Sequence, residues 1–256
     1  MRFIINADDF GYSSEVNKAI KDAIKGGLIS STTILVNMPY FEEAVALAKR
    51  ENFIDRVGIH LNLFEGKPLT KEMQECRLFC DEHKYFQGKT DENGIFQGKK
   101  RNIFDPLRMD SSIIYNELSA QIEKALDAGI RPTHLDSHGQ LHTNFFIGNI
   151  VINLAIKYNI SSIRINSNLR KRKNIFSEFE IMLYNYRIKR HGIKCVNYVG
   201  TIPEVTSRLS KLTGTVEIIV HPIFKNGTIE DAEFKQDLFQ LLSPFREQVK
   251  ITYAEL

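Results

Sequence analysis

Asp8 and Asp9 are adjacent carboxylates in Asn6-Ala7-Asp8-Asp9-Phe10-Gly11, directly after the apolar run Phe3-Ile4-Ile5. Two like charges side by side repel, and a cation or a shared proton is the usual relief. Groups able to complete a site with them recur downstream. His60 lies in Gly58-Ile59-His60-Leu61-Asn62, His134, Asp136, His138 and His142 fall in one short stretch, and His221 precedes Pro222. Two imidazoles and one carboxylate suit a catalytic divalent metal with positions left open for water and substrate. Zn²⁺ takes that set readily, whereas Mg²⁺ prefers more oxygen ligands. One of Asp8 and Asp9 is then free as a base, and a protonated His221 could donate to a leaving group. Such parts are equipped for amide or ester hydrolysis. A phosphoryl transferase would be expected to carry a Gly-rich phosphate loop with a Lys, and the sequence has none.

Short β-branched runs alternating with amphipathic stretches must position these groups. Strands are predicted over Phe3–Ala7, Thr32–Asn37, Val57–Leu63, Thr133–Asp136, Ser162–Asn166, Cys195–Val199, Val216–Val220 and Val249–Thr252. Helices are predicted over Glu15–Lys25, capped by Ser13 or Ser14, then Phe41–Arg50, Ser111 to Ala128, Phe145–Tyr158, Phe176–Arg190, Pro203–Leu212 and Asp231–Leu242. Strand–helix alternation implies a parallel sheet with helices outside it. Seven or eight such units make a (β/α) barrel, TIM-like and distorted, in one domain spanning 1–256, with a long loop insertion at 64–110 after the third strand.

Strand side chains alternate, so residues two apart share a face. His60 then looks away from the apolar face of Val57, Ile59 and Leu61, and His134, Asp136 and His138 share one side of their strand. Asp136 is either a ligand or the group that fixes an imidazole tautomer, with His134 and His142 in similar supporting places. Asn37 ends the second strand and Arg164 lies on the fifth, where each is expected to contact substrate. All these positions fall at strand carboxyl ends, which converge on one pit in a barrel.

With 256 residues and 43% hydrophobic composition the chain can bury a core, and no apolar stretch approaches the roughly 20 residues that span a bilayer. The net charge of +3 is too mild to imply nucleic acid. The basic run Arg170–Lys173 reads as a solvated loop. Three cysteines, Cys76, Cys80 and Cys195, argue for a reducing compartment, hence a cytoplasmic protein. Cys76, Cys80 and His83 lack a fourth ligand at zinc spacing and read as free of metal.

Asn6-Ala7-Asp8-Asp9-Phe10-Gly11, Ser31 through Asn37, Gly58-Ile59-His60-Leu61-Asn62, Pro132 through His138 and Val220-His221-Pro222 together resemble the YdjC-like carbohydrate deacetylases. The resemblance implies a homodimeric barrel that removes the N-acetyl group of an amino sugar, such as a short chitooligosaccharide, with one divalent metal ion, Mg²⁺ or Zn²⁺. Carried over by position, Asp9, His60 and His138 are the ligands, Asp8 the base and His221 a second catalytic residue. The family commonly continues with further His residues after His138, where this chain has Gly139-Gln140. A metal-dependent phosphoesterase and a sugar-binding barrel without turnover are the competing readings.

Overall fold

Parallel strands buried on both faces read as near-continuous apolar runs, and this chain buries almost every residue of the strands that form its main sheet. The computed structural model describes residues 1–88, 110–169 and 175–256. Its strands are β1 (Arg2–Phe10), β2 (Ser31–Ile34), β3 (Val57–Leu61), β4 (Leu135–Ser137), β5 (Tyr198–Thr201), β6 (Thr215–Val220), β7 (Pro222–Lys225), β8 (Thr228–Asp231) and β9 (Gln236–Asp237). The helices are α1 (Ser14–Lys25), α2 (Phe41–Arg50), α3 (Lys71–Glu75), α4 (Ser111–Asp127), α5 (Phe145–Lys157), α6 (Ile175–Arg190), α7 (Ile202–Thr206) and α8 (Leu238–Leu241). The first six strands form a curled parallel sheet in the order β4-β3-β2-β1-β6-β5, and β7-β8-β9 form a small antiparallel one.

Among the described residues the parallel sheet has six strands where seven or eight were expected, an arrangement compatible with a distorted TIM-like barrel. The Ser162–Asn166 segment runs beside β4 but makes only isolated parallel bridges, Leu135↔Ile163 and Ser162↔Lys194. The Val249–Thr252 segment likewise makes one bridge, Phe3↔Lys250. Too few ladder bonds form for either to be a strand, although both lie against the sheet. The expected 64–110 insertion is only partly described: α3 and a Cys80↔Phe86 bridge fall within 64–88. Residues 89–109, and the basic run Arg170–Lys173, lie outside the described residues.

The helix expected over Asp231–Leu242 is replaced by the β8 end, β9 and short α8. Asn226-Gly227, with φ of 51° and 86°, forms a two-residue turn that pairs Lys225 with Thr228. Asn-Gly is a strong hairpin signal because both residues tolerate positive φ. Asp231 then accepts from Glu233 N and Phe234 N, which turns the chain before a helix can start. Elsewhere local chemistry acts as expected: Ser13 caps α1 by accepting from Val16 N, and Asn144 caps α5 through Phe146 N and Ile147 N.

β3 and β4 approach closely because Gly58 has no side chain. A Cβ there would lie 2.5 Å from the His134 ring and 2.8 Å from its carbonyl oxygen, and the backbone atom cannot yield. Gly58→Ala is expected to destabilise the fold by about 1–3 kcal/mol, the usual cost of overpacking, measured by urea unfolding.

Candidate metal centre

Consecutive strand residues point to opposite faces, so Asp8 and Asp9 should not share one. A register shift in the β1–β2 pairing between Ala7 and Phe10 resolves this. Asp9 has φ of 69°, a left-handed conformation uncommon for a residue with a Cβ, and the bulge turns its carboxylate toward the same pit as Asp8. Both are almost fully buried.

The two carboxylates then take different partners. Asp8 Oδ1 accepts from Arg164 Nη2 at 2.7 Å and from Asn6 Nδ2 at 2.9 Å, and its Oδ2 accepts from Arg164 Nη1 at 2.8 Å. Burial pushes the Asp8 carboxyl up, but the Arg164 guanidinium, helped by His60, holds it well below the usual carboxylate range. Asp9 turns instead to imidazoles. Its Oδ1 lies 2.9 Å from His138 Nδ1 and 3.3 Å from His60 Nε2. Burial again opposes ionisation, and His138 with His60 outweighs it.

β3 and β4 set His60 directly beside Asp136 in register. His60 Nδ1 lies 2.6 Å from Asp136 Oδ1, which leaves Nε2 aimed at Asp9. Thr33 Oγ1 donates to Asp136 Oδ2 at 3.0 Å. Burial pulls the His60 imidazole down, yet the Asp136 and Asp8 carboxylates raise it to about 10. Carboxylate on one ring nitrogen and a free path on the other is how a metal-ligating His is oriented.

Ligand atoms of Asp9, His60 and His138 lie within 4.8 Å of one another, as do those of Asp8, His60 and Asp136. The second set already holds a cation, since Arg164 Nη1 is 2.6 Å from Asp136 Oδ2 and bonds Asp8 too. The first set, one carboxylate and two imidazoles, is therefore the one that fits a divalent ion. Glu65 Oε2 stands 3.8 Å from His138 Nε2 at its edge.

The other residues singled out in the sequence separate by position. His221 is the most exposed of the group, with Glu233 Oε2 3.8 Å from Nδ1 and Asp231 Oδ2 accepting from its backbone N–H. Burial lowers its proton affinity, but Asp8, Asp9, Asp231 and Glu233 raise it above the ordinary histidine value. His142 meets Ser137 Oγ through Nδ1 and packs near Tyr184. His134 stacks on Tyr253, with ring centroids 3.6 Å apart, and burial beside Arg164 keeps it neutral.

Asn37 and Arg164, both expected to contact substrate, make firm contacts within the protein. Asn37 donates to the Glu65 carbonyl and accepts from Asn62 Nδ2, which fastens the 62–67 loop. Arg164 is 1% exposed and lies beneath the carboxylates, with Nε donating to Glu217 Oε1 at 2.7 Å. Glu217 itself escaped the sequence reading, although an acid inside the apolar run Val216-Glu217-Ile218-Ile219-Val220 is a readable sign of a buried cation. Burial pushes its carboxyl up to about 7 despite Arg164 and Tyr253.

A carbohydrate deacetylase of Vibrio cholerae is 30% identical over 90% of this chain and 81% of its own length. One from Listeria monocytogenes is 30% identical over 90% of this chain and 85% of its own. The crystal structure of an Enterococcus faecalis protein, described as acting in cellobiose-phosphate cleavage, shares the fold with a TM-score of 0.72 at 24% identity, covering 99% of this chain and 98% of that one. The YdjC-like protein family matches residues 2–249, and this chain belongs to it.

Proposed function

We propose that this chain is a metal-dependent carbohydrate deacetylase that hydrolyses the N-acetyl group of an amino sugar, with a short chitooligosaccharide as substrate. The observation that carries the reading is the convergence of Asp9, His60 and His138 on one point beside an ionised Asp8. The names of the relatives in Vibrio and Listeria support it. A divalent ion held by those three side chains supplies a Lewis acid for water and the acetyl carbonyl. The ion is Zn²⁺, which readily takes two imidazoles and one carboxylate, or Mg²⁺, which prefers more oxygen ligands.

The chain's own residues do the rest. Asp8, kept ionised by Arg164, accepts a proton from the attacking water. His221, the most exposed of these groups, when protonated gives a proton to the amine nitrogen as the carbon–nitrogen bond breaks. Acetate and a free amino sugar result. Cytoplasmic residence and a homodimer belong to the same proposal. The three free thiols support the first and the family resemblance the second. None of the described helices is long and apolar enough to cross a membrane.

Asp8→Asn is expected to keep the ion and abolish acetate release from diacetylchitobiose, whereas His60→Ala loses the ion, as elemental analysis reads directly. Phosphate release from a sugar phosphate, with no acetate from acetylated sugars, would instead identify a phosphoesterase. Sugar binding without either product would identify a barrel that does not turn over.

The carboxylates around His221 raise its proton affinity, so its acid form persists above the ordinary histidine range and is lost as pH rises further. The rate is therefore expected to fall on the alkaline side, and His221→Asn should both slow the reaction and remove that limb of the pH profile. An alkaline limb that survives the substitution assigns the titration to another group.

A further inference from the structure

Glu217 is fully buried on β6, and its two oxygens face two different groups. Oε1 accepts from Arg164 Nε at 2.7 Å, while Oε2 accepts the Tyr253 hydroxyl. A guanidinium is planar and rigid, so fixing Nε fixes the direction of both terminal nitrogens. Those nitrogens are the ones that meet Asp8 at 2.7 and 2.8 Å and Asp136 at 2.6 Å. Without Glu217 the same guanidinium could pivot about the two remaining carboxylates.

Tyr253 comes from the other end of the chain and is itself firmly placed. Ile251 N donates to Phe3 O at 2.8 Å, and Ser30 Oγ donates to Ile251 O at 2.8 Å, so the tail is tied beneath β1 and β2. Thr252 and Glu255 close a capping box around the turn that carries Tyr253. The Tyr253 ring lies flat on His134, at an interplanar angle of 10°. The ring and the hydroxyl therefore have separable tasks: the ring packs against His134, and the hydroxyl reaches Glu217.

We propose that Glu217 and Tyr253 are positioning residues for the reaction: the tail hydroxyl holds Glu217, Glu217 holds Arg164, and Arg164 holds the Asp8 carboxylate in line with the water it deprotonates. The inference rests on the reading of Asp8 as the base. It gives the last residues of the chain a part in catalysis although they touch neither substrate nor ion.

Tyr253→Phe is the decisive variant, because it keeps the ring and removes only the hydroxyl. Deacetylation of diacetylchitobiose should lose between about 5- and 100-fold in kcat, the scale of a misplacement made away from the reacting atoms. KM and Zn²⁺ affinity by calorimetry should stay within roughly twofold of wild type, since neither sugar nor ion is touched. In ¹⁵N-arginine-labelled protein the Arg164 Nε–H should exchange with solvent faster than in wild type. Glu217→Gln, which retains an acceptor for Arg164, should keep more activity than Glu217→Ala, and this pair decides if Tyr253→Phe does not fold. Unchanged kcat in Tyr253→Phe, or equal loss in the two Glu217 variants, overturns the proposal. Wild-type protein that releases no acetate refutes the deacetylase reading instead. The Arg164 exchange rate then still reports whether the tail holds the guanidinium, and an unchanged rate refutes that too.

Discussion

The Arg164 guanidinium, buried among Asp8, Asp136 and Glu217, is the interaction on which the floor of this site depends. Burying one cation and several carboxylates costs several kcal/mol per ion unless the geometry satisfies all of them. Here it does. Nε and both terminal nitrogens have acceptors at 2.6–2.8 Å, and Thr33, Asn6 and Tyr253 donate to the carboxylate oxygens. Taking one partner away from such a cluster leaves an uncompensated buried charge, which is why the cluster behaves as a unit. Each participant comes from a different strand or from a segment beside one, so the same contacts that order the carboxylates also pin the sheet's curl.

A second constraint sits at the end of β1. The bulge at Asp9 is a local departure from regular strand geometry, and it lets two neighbours in sequence divide the work. Asp8 is committed to a fixed organic cation, and Asp9 is committed to imidazoles. Were the strand regular, one of the two would point away among the helices and the donor set would lose a member. A strained φ at a site that gathers charge is a common way for a fold to spend stability on geometry.

Much of this was legible in the sequence because strands buried on both faces read as short apolar, β-branched runs. Such runs located β1, β3, β4 and β6 to within a few residues, and side-chain alternation along β3 and β4 gave the shared aim of His60 and Asp136. Other features had no local sign. The left-handed conformation of Asp9 depends on how β1 pairs with β2, and Tyr253 gains its meaning only from a contact 36 residues away in sequence. Ser162–Asn166 and Val249–Thr252 have strand-like composition yet make isolated bridges, since their ladders are not completed by neighbours. Asn226-Gly227 carries a hairpin signal that went unread, and the helix expected over Asp231–Leu242 overlaps the end of β8 and all of β9.

The floor and the rim of the site obey different rules. Floor residues Asp8, Asp136, Arg164 and Glu217 lie on the sheet or directly against it and are locked by several bonds each. Rim residues hang from connections. His221 is set by the turn that Asp231 organises, and Glu65 by a loop that Asn37 and Asn62 tie down and that Glu117 on α4 grips through the N–H groups of Leu69 and Thr70. A loop can change its length and side chains without disturbing the ladder beneath it. The Gly139-Gln140 pair belongs to this class, two consecutive left-handed residues in the connection directly after His138. Variation in what the site accepts is therefore expected on the rim, while the carboxylate–guanidinium floor sets what chemistry the rim can be fitted to.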